Sequence, residues 1–198
     1  YTAAPTGNYP DHVRVYNGSG TITSLSDGQC LATNADTSAT AYTSGNTYVA
    51  RYDSGKLYLN SYQNDHQIIA PDSVIFADGD LNIEVVSNSS FSTSVSATSD
   101  LYGIRANGKL NISGSGKLTV TANGDGAVYG IYADKGVTIS APLDVQVGKV
   151  DSSKNGSLYG IYTKSGAISL SDGDKTITAT GGTSTVYGVF NAADTPAI

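Results

Sequence analysis

Short stretches of alternating apolar and polar residues recur along this chain, and none is long or helically spaced. Val13-Arg14-Val15, Thr21-Ile22-Thr23 and Lys56-Leu57-Tyr58-Leu59 alternate near the N-terminus. Beyond residue 70 the alternations recur in a fixed order. One phrase reads Leu101-Tyr102-Gly103-Ile104, Val128-Tyr129-Gly130-Ile131, Leu158-Tyr159-Gly160-Ile161 and Val186-Tyr187-Gly188-Val189, its tyrosines 27, 30 and 28 residues apart. Val74-Ile75-Phe76-Ala77 is a weaker first copy, with Ile75 29 residues before Ile104. A second alternation follows each phrase: Leu81-Asn82-Ile83, Leu110-Asn111-Ile112, Val137-Thr138-Ile139 and Ile168-Ser169-Leu170, the last displaced by one residue relative to its column isoleucine. A third follows at Leu118-Thr119-Val120, Leu143–Val147 and Thr176-Ile177-Thr178.

Period-2 alternation bounded by Gly, Asp and Asn predicts strands and turns. Three such strands of about three to five residues per period, repeated every 27–30 residues, predict units that stack on their neighbours. The fold class that follows is all-β: a single-stranded parallel β-helix, or β-solenoid. Like residues of successive coils then form ladders about 4.8 Å apart. Residues 1–50 fit the period poorly and predict an irregular N-terminal cap, with 31–47 as a long loop. Residues 51–198 carry the repeats, and the whole is one elongated domain.

The phrases "IFADGDLNI", "YGIRANGKLNISGSGKLTV" and "YGIYADKGVTIS" resemble the repeat region of exported surface proteins of gut Firmicutes, modular proteins often labelled carbohydrate-binding domain-containing. The lead-in segments "VRVYNGSGTITS" and "ARYDSGKLYLNSYQ" are similar to that family as well, so the likeness spans about residues 12–190. The resemblance implies a right-handed parallel β-helix on the bacterial cell surface, without established catalysis.

Composition narrows the function classes. The formal net charge is −6 with only 11 Lys plus Arg, so nucleic acid is a poor partner. No apolar run approaches the roughly 18 residues that would insert in a membrane. The single cysteine, Cys30, leaves no internal disulfide. The absence of Met and of a leader, with a Ser/Thr/Asn/Gly-rich make-up, predicts a segment of a larger exported, extracellular protein.

Candidate chemistry falls into three groups. The paired acids Asp78-Gly79-Asp80 and Asp172-Gly173-Asp174, with Asp125 and Asp134, offer oxygen ligands for Ca²⁺. The same residues are ordinary turn formers, which weighs more heavily, so no cofactor is expected and Ca²⁺ is the alternative. Arg105 would be the base of a polysaccharide lyase on the same scaffold, but it lacks an accompanying acid cluster. His12 and His66 stand in no motif, and Cys30 reads as a small buried hydrophobe.

The third group is aromatic. Strict alternation puts Tyr102, Ile104 and Ala106 on one face and Arg105 on the other. With the isoleucine column inward, Phe76, Arg105, Tyr132, Tyr162 and Phe190 form an outward row, one residue per coil. Such a row suits binding of a polysaccharide or of a host or cell-surface protein. It serves equally to hold coil to coil. The function expected is a non-enzymatic surface module for adhesion or glycan binding. A pectate-type lyase and a passive spacer are the competing readings.

Overall fold

Each alternating segment has one apolar face to bury, and three such segments per period bury theirs against one another. The computed structural model describes residues 9–65, 73–181 and 185–194, and shows a parallel β-solenoid of about four turns. The first full coil is β8 (Ser73–Ala77), β9 (Leu81–Ser87) and β10 (Ser89–Val95), preceded by β1 to β7 of the N-terminal region. The second is β11 (Leu101–Ala106), β12 (Leu110–Ser113) and β13 (Leu118–Gly124). The third is β14 (Val128–Ala133), β15 (Val137–Ile139) and β16 (Leu143–Gly148). The fourth is β17 (Leu158–Thr163), β18 (Ile168–Leu170) and β19 (Lys175–Thr180), after which β20 (Val186–Asn191) starts another.

The Tyr-Gly strands β8, β11, β14, β17 and β20 lie side by side in one sheet, the second strands in another and the third strands in a third. Register is residue for residue. Ile75 pairs with Ile104, Ile104 with Ile131, Ile131 with Ile161 and Ile161 with Val189. Ile104, Ile131 and Ile161 are 0% exposed, and all three sheets contribute to the same narrow core. The late Ile168-Ser169-Leu170 pairs directly with Val137-Thr138-Ile139. Its extra residue is taken up in the preceding turn, where Gly166 has φ 78°, a left-handed value that suits glycine.

The N-terminal region is more regular than its sequence suggests. β1 (His12–Tyr16) pairs antiparallel with β2 (Ile22–Ser26) and lies antiparallel on β8. β3 (Gln29–Leu31) pairs antiparallel with β4 (Thr40–Ala41) and with β5 (Ala50–Asp53). Thus the predicted loop 31–47 contains one short strand. β6 (Lys56–Asn60) is antiparallel to β5 and parallel to β9, so the chain changes from antiparallel pairing to parallel stacking at Lys56. β7 (Gln63–Asn64) continues this on β10.

Polar groups fasten this end. The buried Asn17 amide donates to Thr23 Oγ1 at 2.6 Å and to the Thr37 carbonyl at 2.7 Å. Tyr62 lies across the base of the core, its hydroxyl donating to the Tyr16 carbonyl at 2.6 Å. The opposite end differs. Leu170, Val186 and Val189, whose counterparts one coil earlier are buried, are 39%, 39% and 45% exposed.

Candidate functional site

The outer faces of the three sheets differ in chemistry. The third sheet shows Ser90, Ser92, Thr119, Thr121, Asp144 and Gln146, and the second shows Asn82, Glu84, Asn111 and Thr138. Aromatic residues gather on the first.

Phe76, Arg105, Tyr132, Tyr162 and Phe190 occupy one register position on five successive strands, as the row read from the sequence requires. All five are half-buried rather than fully exposed. The second aromatic row departs from expectation. Tyr102, Tyr129, Tyr159 and Tyr187 do not share the isoleucines' inward face. Their rings lie beside the first row: Tyr102 is 5.4 Å from Tyr132, Tyr129 is 5.3 Å from Tyr132, and Tyr159 is 5.1 Å from Tyr162.

The cause is a break in strand alternation. Ile131 is buried in the core, and a Cβ placed on Gly130 would also point inward, 2.3 Å from Val145 Cγ1. Two consecutive residues therefore face the core, and the tyrosine before them and the residue after them both face out. Gly103 and Gly160 repeat the geometry against Val120 and Ile177. None of the four Tyr-Gly glycines has a left-handed φ. At Gly103, Gly130 and Gly160 glycine is required by space, not by backbone conformation.

The two columns pack as a herringbone. Within a column the rings are nearly parallel, with Tyr102, Tyr129 and Tyr159 at 4.9 Å centroid steps and Tyr132 and Tyr162 at 5.2 Å. Between columns the tyrosines meet at 75–85°, the edge-to-face arrangement that ring quadrupoles favour, while Phe190 at the end of the array is tilted at 58° and 52° to Tyr159 and Tyr187. Both faces of each interior ring are thus covered by its column neighbours. A sugar ring has no free aromatic face to lie on along the middle of the array. The surface offers ring edges, phenol hydroxyls and guanidinium groups.

Arg105 stands in the first column where the other coils have rings. Its guanidinium carbon is 4.9 Å from the Tyr102 centroid, 5.7 Å from Phe76 and 5.9 Å from Tyr132. Arg14, paired with Phe76 across β1 and β8, extends the row by one step and lies 4.1 Å over the Phe76 ring. Two acids border the array. Tyr102 donates its hydroxyl to Asp100 at 3.3 Å, and Tyr132 to Asp134 at 2.8 Å. Burial first, then the Asp100 charge, pushes the Tyr129 phenol well above the ordinary tyrosine range. Burial and the hydrogen bond to Asp134 do the same for Tyr132.

The other sequence candidates scatter. Asp78 Oδ1 accepts from the Asn107 amide at 2.8 Å, Asp80 Oδ1 from the Lys109 backbone N–H at 2.8 Å, and Asp125 Oδ1 from the Asp151 N–H at 2.8 Å. Asp172 and Gly173 adopt positive φ in a turn. These acids tie corners together, and among the described residues no three His, Cys, Asp or Glu side chains converge. Cys30 is buried, His12 lies at the start of β1, and His66 lies outside the described residues. The Arg14 extension and the second aromatic column were missed from sequence; the Tyr-Gly spacing carried the latter signal. The chain matches no protein-family model, no curated protein and no solved structure.

Proposed function

We propose that this chain is a non-enzymatic module of an exported bacterial surface protein, and that its double aromatic column contacts a polysaccharide. The observation that carries the reading is the concentration of nine side chains, Phe76, Tyr102, Arg105, Tyr129, Tyr132, Tyr159, Tyr162, Tyr187 and Phe190, on one sheet face. The outer face of the third sheet is polar, and that of the second is polar along its coils with one smaller cluster, Arg51 among Tyr42, Tyr48 and Tyr58, at its N-terminal end. The rigid coil stack holds these groups in line, which lowers the ordering cost of binding. Arg105 is packed among rings and not beside an acid pair, which favours contact over proton abstraction. The spacer reading draws on the mutual stacking of the rings, which gives them a structural role whether or not they touch a ligand.

The test is a glycan array probed with the purified chain, with and without Ca²⁺, followed by Tyr162→Ala and Phe190→Ala. Saturable binding weakened by either substitution supports the module. Absence of binding leaves the spacer. Release of unsaturated uronate products would overturn the non-enzymatic assignment.

A further inference from the structure

The aromatic face is asymmetric along the solenoid axis. Its upper part is hydrocarbon and phenol; its lower part alternates Arg14, Phe76 and Arg105. The two arginines stand on strands two spacings apart with Phe76 between them, and their guanidinium carbons are 4.1 Å and 5.7 Å from its ring centroid. Among the described residues neither makes an ion pair with a carboxylate. The Nε–H of Arg105 is buried and has no hydrogen-bond acceptor. A buried unsatisfied donor is costly, and it is worse for a charged group. Arg51 offers an internal comparison: it too is packed among tyrosines with an unpartnered Nε–H, yet its guanidinium has the Asp53 carboxylate at 3.4 Å, and Arg105 has none.

Ring geometry points the same way. The rings present edges to solvent, and an aromatic edge is the positive part of its quadrupole. Guanidinium groups beside positive ring edges make an anion-accepting strip on a chain whose net charge is −6. Asp100 and Asp134 lie at the borders of the strip and are each engaged by a tyrosine hydroxyl. Lys164 stands one coil beyond Asp134 at the same border.

We infer that the lower part of this face, Arg14, Phe76 and Arg105 with Tyr102 and Tyr132, is a binding site for an acidic polysaccharide, in which carboxylate groups of uronate residues meet the two guanidinium groups. The inference rests on the polysaccharide-binding function proposed above and names its ligand class. Guanidinium forks match carboxylate oxygens bidentately. The Tyr102 and Tyr132 phenol oxygens, whose protons go to Asp100 and Asp134, accept from sugar hydroxyls. An acidic peptide fits less well, because extended peptides bind β-proteins chiefly by backbone pairing at a sheet edge, and this site is the side-chain-covered face of a sheet.

The experiment measures affinity for three soluble polymers: polygalacturonate, neutral hydroxyethyl cellulose and poly-glutamate. Each is tested against the parent chain, Arg105→Gln, Arg14→Gln and, on a different sheet, Lys117→Gln. Circular dichroism checks that every variant is folded. Polygalacturonate should bind best and weaken as salt screens the contacts. Each arginine variant should lose roughly tenfold or more, and Lys117→Gln should lose nothing. Equal affinity for the neutral polymer, or polygalacturonate binding indifferent to both arginine variants, would overturn the inference and leave the polysaccharide module standing. Equal loss with Lys117→Gln would mean diffuse charge attraction and would also overturn it. Poly-glutamate binding as tightly, with the same arginine dependence, would reassign the site to acidic peptides. Failure of all three polymers to bind would overturn both the inference and the function on which it rests.

Discussion

Replacing Gly130 by Ala should destabilise the protein, and replacing Gly188 by Ala should not. The two residues hold the same place in repeats two coils apart and differ only in what lies beyond them. A Cβ on Gly130 meets Val145 Cγ1 at 2.3 Å, the Gly160 carbonyl oxygen at 2.7 Å and Val147 Cγ1 at 3.2 Å. Carbon atoms pack best at about 3.5–4.0 Å, so the facing strand must retreat by more than about 1 Å. Val145 is 0% exposed and sits in the middle of the core, where retreat disturbs every sheet. Overpacking of this kind costs about 1–3 kcal/mol. It is offset by the roughly 0.4–1 kcal/mol that alanine contributes by restricting the unfolded chain. The net loss for Gly130→Ala is then about 1–2 kcal/mol, a fall in Tm of roughly 2–8 °C for a chain of this size. A Cβ on Gly188 meets nothing nearer than Ile177 Cγ2 at 3.9 Å, so the unfolded-state term acts alone and Tm should hold or rise slightly. Thermal denaturation followed by far-ultraviolet circular dichroism measures both. If Gly130→Ala melts with the parent, or if Gly188→Ala falls as far as Gly130→Ala, the steric account of the shared glycine is wrong.

Tyr132→Ala should also lower stability, by about 1–3 kcal/mol, because the ring has aromatic partners at 5.2, 5.3 and 5.4 Å and each such pair contributes about 0.5–1.5 kcal/mol; a loss under about 0.5 kcal/mol in urea denaturation would make the herringbone energetically idle. High pH should unfold the protein. Burial holds Tyr52 up at about 12 and raises Tyr129 and Tyr132 as well, so the folded state keeps protons that the unfolded state releases from about pH 10. Stability is therefore fully present below pH 10 and falls as pH rises toward the folded values. Tyrosinate absorbance should lag behind that of a free-tyrosine titration until unfolding begins, and coincidence of the two curves would contradict the buried phenols.

What was legible in the sequence was whatever repeats. The isoleucine column and the second alternation follow from period-2 spacing inside a longer period, and Ile75, Ile104, Ile131 and Ile161 pair in the register that this spacing predicts. Three things were hidden. Strict alternation places the tyrosine column inward, whereas Gly130 and Ile131 both face the core. A glycine inside a strand was the available sign of such a break. β10, the third strand of the first coil, reads Ser-Ser-Phe-Ser-Thr-Ser-Val, and its inward row is Ser89, Phe91 and Thr93. Polar residues there conceal the strand, although Ser89 Oγ is satisfied by the Tyr62 N–H and the Ser87 carbonyl. The antiparallel N-terminal strands have no repeat to align, and their strands are only two to five residues long.

Because every coil meets the next through the same columns, the stacked strands can be gained or lost only in whole coils, while turns absorb single residues, as at Gly166. Excising residues 130–159 would join Tyr129 to Gly160 and regenerate the Val-Tyr-Gly-Ile phrase. It would also bring Ile104 against Ile161 and Arg105 against Tyr162, with every inward residue still inward. A deletion of one residue within a strand would instead invert the faces of the residues beyond it. Duplication and loss of entire coils are thus the mutational steps this architecture tolerates. Each added coil extends the outer aromatic columns by one ring apiece, so the reach of the surface grows in steps of a single strand spacing.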